Sequence, residues 1–78
     1  MIHELKCWPK YFRDVWTGRK SFEVRKNDRN FQVGDSLLLM EWNPESEKYT
    51  GVAVKREIIY ILDDPAFVKD GYVIMGLK

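Results

Sequence analysis

The chain has a single cysteine and a single histidine among its 78 residues, and no long apolar run. One thiol, Cys7, builds neither a disulfide framework nor a zinc site. It fits a reducing cytoplasm. A thiol nucleophile needs a base, and the one histidine is His3. On an extended segment His3 and Cys7 share a face but stand about 13 Å apart by strand rise, too far for a catalytic pair. A buried core thiol is the expected role of Cys7. No stretch approaches the ~18 apolar residues of a membrane-spanning helix. The opening "MIHELKCW" lacks the apolar region of a secretory signal. Nothing in the chain calls for a cofactor or a metal ion. The expectation is a soluble cytoplasmic protein.

Apolar residues make up 45% of the chain and aromatics 14%, enough for a compact core and unlike a disordered segment. The length predicts one domain, residues 1–78, of modest stability. The net charge of +1 argues neither for nor against a nucleic-acid partner. Its distribution says more. Residues 1–39 hold eight Lys/Arg against five Asp/Glu, and residues 40–78 hold five against seven. Arg19, Lys20, Arg25, Lys26 and Arg29 crowd one short stretch, opposed by Glu23 and Asp28. Such asymmetry points weakly to an anionic partner, and equally to a solvated face of mixed sign.

The apolar pattern predicts five strands and one helix. "IHELKC", 2–7, alternates with Leu5 and Cys7 inward. Pro9 suits a first helical position, and Phe12, Val15 and Trp16 share one helical face, giving a helix over 9–17. Trp8 is placed to staple against Phe12, and Gly18 to end the helix. "KSFEVRKN" alternates, with Phe22 and Val24 on an apolar face and Ser21, Glu23 and Arg25 on a charged one. "NDRNFQVGD" reads as a loop, and "SLLLMEW", 36–42, as a central strand. A long strand over 52–64 carries a bulge or bend near Arg56 and Glu57. "YVIMGL", 72–77, closes the chain. Phe12, Phe22, Val24 and Leu38 are assigned to the core. Strands this numerous in so short a chain relieve their edges by curling into a small, mostly antiparallel five-stranded β-barrel, with the helix near one end.

One spacing organises the charged stretch: Gly18, Lys20, Glu23 and Arg25, a Gly-x-Lys-x-x-Glu-x-Arg run. Glu23 and Arg25 lie two apart on a strand and project from one face. Lys20 sits at the helix–strand corner. A carboxylate between two cations orients both, and the arginine fork suits a phosphate or a base edge. The plain alternative is a surface ion-pair cluster of small energetic weight.

This run, within "HELKCWPKYFRDVWTGRKSFEVRKNDRNFQVGDSLLL", resembles the ASCH (activating signal cointegrator homology) family. The chain is most similar there to short bacterial and phage proteins of unknown function. Their pattern corresponds to His3–Lys6, Gly18–Asp35 and Gly71–Gly76 here. The resemblance covers nearly the whole chain. It implies a PUA-like barrel with a cleft beside the helix and a role in binding RNA or a nucleotide. It carries Lys20, Glu23 and Arg25 over as cleft residues, with Lys26, Asn27, Asp28 and Arg29 continuing the shared pattern along the rim. His3 and Lys6 are weaker candidates, since they face opposite sides of one strand. One ASCH branch removes the acetyl group of an acetylated cytidine with a Lys, a Thr and a distant Glu. Here Lys20 is kept, Glu23 stands in place of the Thr, and the insertion carrying the distant Glu is absent. A carboxylate substitutes poorly for a hydroxyl in acyl transfer.

The expectation is therefore a binding module, with phosphate on Lys20, Arg25 and Arg29 and a base stacked on Trp42, Trp8 or Tyr72. An enzyme on a modified nucleoside would use Lys20 as base or activator and Glu23 as general acid/base, with a hydroxyl or water beside Lys20. An interaction module for an acidic protein is the third reading.

Overall fold

The computed structural model describes residues 1–78. The elements run β1 (Ile2–Cys7), α1 (Pro9–Trp16), β2 (Phe22–Lys26), β3 (Ser36–Asn43), β4 (Lys48–Leu62) and β5 (Tyr72–Leu77). The fold is mainly β, and the five strands form one mixed sheet in the order β1-β3-β4-β5-β2. β1 and β3 are parallel; the other three pairings are antiparallel.

β4 makes the sheet curl. Its first part, Lys48 to Glu57, pairs with β3, and its last part, Ile58 to Leu62, pairs with β5. The hand-over brings Ile58, fully buried, to the corner. The expected irregularity near Arg56–Glu57 falls just beyond it, between Ile58 and Tyr60. Gly76 sits opposite Tyr60 and Phe22 at once, and a Cβ there would lie 3.4 Å from that of Tyr60, in ordinary contact.

The inner face holds Leu5, Cys7, Leu37, Leu39, Ile58, Val73, Met75 and Leu77, with Phe31 from a loop. α1 caps this core with Phe12 and Val15. The helix stops at Trp16, one residue short of expectation, and Trp16 is exposed. Trp8 is the N-cap and half-exposed. Gly18, at φ +82°, lets the chain turn out of the helix.

Two core assignments are reversed and one is weakened. Phe22 and Val24 face outward, 45% and 50% exposed, while Glu23 between them is buried. The register explains this: Glu23 and Arg25 pair with Met75 and Val73, which point inward, whereas Phe22 and Val24 pair with Gly76 and Ile74. Leu38 is only partly buried, because Leu37 and Leu39 take the inner face of β3.

The barrel does not close. β1 and β2 end the strand order, and no backbone ladder joins them. The gap between these two edges is where the charged motif lies.

Candidate functional site: a cleft in the open β1–β2 seam

The corner after α1 is tied by its own backbone. Lys20 N donates to Asp14 O at 2.9 Å, which brings residue 20 back beside the helix end. The Lys20 ammonium donates to Phe22 O at 2.9 Å and to Glu23 Oε1 at 2.6 Å. Arg25 Nε donates to Glu23 Oε2 at 2.8 Å. Glu23 is 4% exposed, so this is a buried carboxylate held between two cations rather than a solvated ion pair. Burying a charge is tolerated only where it is paired and hydrogen-bonded. Here both oxygens have partners, and no buried side-chain polar atom in the fold lacks one.

Arginine side chains bridge the seam where backbone pairing stops. Arg25 Nη2 donates to Lys6 O, and Arg29 Nη1 donates to Glu4 O, both at 2.8 Å. Glu4 and Lys6 are two apart on β1, so their carbonyls point from the same edge. The guanidinium groups thus satisfy acceptors that a sixth strand or a closed ladder would have taken.

A cleft of about 360 Å3 opens at this seam, lined by Lys6, Cys7, Trp8, Tyr11, Lys20, Glu23, Val24 and Arg25. Three cations face one carboxylate, so an anionic ligand is favoured. Trp8 and Tyr11 are about half exposed and offer aromatic faces. The size falls in the range of small-molecule sites, roughly 300–1,000 Å3. Burial, reinforced by the Glu23 charge, pushes the Cys7 thiol above its ordinary value, so it stays protonated at neutral pH and is no nucleophile.

A family model, "Domain of unknown function (DUF3850)", matches residues 2–77. The chain belongs to this family. A relative is the "Uncharacterized 12.9 kDa protein in GpA 3'region" of Escherichia phage P2, 40% identical over 74 residues. The match covers 95% of this chain and 65% of the phage protein. The chain therefore spans just under two thirds of that relative's length.

In this DUF3850 domain, Lys20, Glu23 and Arg25 come together as expected, with Glu23 inside rather than on an outer charged face. Lys26, Asp28 and Arg29 line a smaller neighbouring cavity that shares Arg25. Asn27 serves the loop instead: its N donates to Gly71 O at 2.8 Å, and its Oδ1 accepts from Phe31 N at 3.4 Å. It lines neither cavity. His3 is buried away from the cleft, with Nε2 donating to Asp35 Oδ2 at 2.8 Å and its ring edge-on to Phe31. Lys6, on the opposite face of β1, does reach the cleft.

Of the candidate stacking residues, only Trp8 lines it. Trp42 instead lies under the Lys6 ammonium, 4.4 Å from the ring centre, and Tyr72 under that of Lys69. Tyr11 was missed. Its spacing three after Trp8, outside the Phe12–Val15 stripe, was the available signal. No group of three His, Cys, Asp or Glu side chains is arranged to hold a metal ion. No helix is long and apolar enough to cross a membrane.

Proposed function

We propose that the cleft binds one nucleotide of an RNA, or a free nucleotide, and that this DUF3850 domain is a branch of the ASCH, PUA-like group acting in the cytoplasm. The observation that carries the reading is the buried Glu23, clamped by Lys20 and Arg25, in the wall of a basic cleft with two open aromatic faces. A buried, fully paired carboxylate is expensive to keep in a fold this small, and such groups gather at functional sites. The aromatic faces supply stacking for any base, the cations supply phosphate attraction, and Glu23 accepts from base or ribose N–H and O–H groups at its edge. The position of Lys20, Glu23 and Arg25 on this cleft supports the ASCH relationship.

The hydrolase reading has weaker support. The one hydroxyl among the cleft side chains is the Tyr11 phenol. Ser21, next to Lys20, is exposed and lines neither cavity.

The test follows the anisotropy of end-labelled short single-stranded and hairpin RNAs titrated with the protein at two salt concentrations. Stacking contributes about 1–3 kcal/mol per base, so Trp8→Ala and Tyr11→Ala should each weaken binding roughly fivefold or more. Both residues are half exposed, so the variants should fold. Absence of binding to RNA and to free nucleotides at low salt defeats the proposal. Turnover of modified nucleosides would then favour the hydrolase, and capture of an acidic peptide the interaction module.

A further inference from the structure

The smaller cavity in the seam, about 180 Å3, is lined by Leu5, Arg25, Lys26, Asp28, Arg29 and Phe31. Leu5 and Phe31 are buried and make its floor, while Lys26, Asp28 and Arg29 are exposed at its mouth. Three cations again face one carboxylate. Unlike the first cleft, it offers no open aromatic face. Its cations also have donors to spare. Arg29 is held by one nitrogen on Glu4 O, and Arg25 by Nε and Nη2, out of five N–H groups in each guanidinium. Lys26 enters none of the ion pairs of the fold.

We propose that this cavity is a phosphate subsite. The seam then takes a single-stranded nucleic acid with one base in the Trp8–Tyr11 cleft and the adjoining phosphate on Arg25, Lys26 and Arg29. The inference rests on the reading of the first cleft as a base site. Arg25 lines both cavities, so one strand must cross it to occupy both. The carbonyls gripped by Arg25 and Arg29 are two residues apart on β1, about 7 Å by strand rise. One extended sugar–phosphate repeat, six bonds long, spans a similar length. A duplex is disfavoured by the first cleft, because a base must leave the stack to enter, at the cost of unstacking and unpairing it. An acidic peptide would meet the cations but leave the two aromatic faces without a partner.

The test compares the four ribonucleosides with their 3′- and 5′-monophosphates, and a single-stranded hexanucleotide with its duplex. Affinity is read by tryptophan fluorescence and by amide shifts of residues 24–31. One monophosphate series should bind about tenfold more tightly than its nucleoside, as a single charge-assisted contact predicts. That gain should shrink as salt rises, while nucleoside affinity changes little. Lys26→Ala, at an exposed side chain outside every ion pair, should remove most of that gain and leave nucleoside affinity unchanged. Arg29→Gln should do the same, with circular dichroism confirming the fold. If nucleosides bind but neither phosphate improves them, or Lys26→Ala leaves the gain intact, the phosphate subsite is wrong and the base cleft stands. Equal affinity for duplex, or for oligoglutamate with the same Lys26 dependence, also overturns it. If nothing binds, the base cleft and the subsite fall together.

Discussion

Replacing Glu23 by glutamine keeps the side chain's shape and removes its charge. Glu23 is 4% exposed, and its oxygens accept from Lys20 at 2.6 Å and Arg25 at 2.8 Å. An amide presents one oxygen and one NH2, so one of the two cations would face a donor. The fully buried limit for breaking such a cluster is about 3–5 kcal/mol. The surface limit is about 0–1 kcal/mol. The partners decide between them: the Lys20 and Arg25 side chains keep 18% and 27% of their surface, so either can turn toward water. Glu23→Gln is therefore expected to destabilise by about 2 kcal/mol, between these limits. For a domain of this length that lowers Tm by roughly 8–16 °C. Urea unfolding followed by circular dichroism measures it, and a cycle with Lys20→Met isolates the pair, with a coupling of about 1–2 kcal/mol expected for groups in direct contact. A loss under about 0.5 kcal/mol, the range of ordinary surface changes, would refute the placement of Glu23 inside the fold.

Other perturbations address the seam, the acid limb and the thiol. Arg29→Ala removes the guanidinium on Glu4 O and should cost about 1 kcal/mol, discounted for exposure. Amide exchange should speed up in β1 while β4 and β5 hold; unchanged β1 protection would contradict the bridging role. Asp35 has its carboxyl held below its usual 3.8, first by the His3 hydrogen bond. Folding therefore favours its ionised form, and this stabilisation is present above pH 3.8 and lost as pH falls through the lower folded value. Asp35→Asn should flatten that part of the acid limb, and an identical limb in the variant would count against it. Cys7 is 3% exposed with its thiol pushed above 9.0, so an aromatic disulfide reagent at pH 8 should react only as fast as the fold opens. Prompt stoichiometric labelling of native protein would overturn this.

The elements were legible because their signals were local. β5, 72–77, and β1, 2–7, match their expected bounds, each set by alternation and a turn residue. The helix was readable from Pro9, Phe12, Val15 and Gly18. The orientation of β2 was not. Alternation says which residues share a face, but not which face is inside. Phe22 and Val24 looked like the core side because apolar residues usually are. On β5 the inward residues are Met75 and Val73, and the register sets Glu23 and Arg25 beside them, so those two take the inward positions of β2. A carboxylate flanked by Lys20 and Arg25 at strand spacing is the pattern that permits such inversion, since the chain supplies its own counter-charges. The small five-stranded barrel-like sheet was legible from strand number, but strand number cannot reveal that β1 pairs in parallel with β3 and leaves its other edge to side chains.

The arginines of the motif thus answer to two demands. Arg25 holds β2 to β1 through Lys6 O and orients Glu23 with a different nitrogen, in one planar fork. A lysine would present all its donors from a single nitrogen, without the separated nitrogens of the fork that reach these two acceptors, so the residue type follows from closure of the seam before any ligand is considered. A dense basic stretch in a small open barrel is therefore poor evidence of nucleic acid by charge alone. Lys26 is more telling. It lines the smaller cavity and its ammonium enters no ion pair of the fold, whereas the Lys6 ammonium already rests on the Trp42 ring. Loss of binding in an Arg25 variant would mix unfolding of the seam with loss of contact, whereas loss in a Lys26 variant can be assigned to the ligand. The cations that the fold does not need are the ones whose chemistry is free to serve a partner.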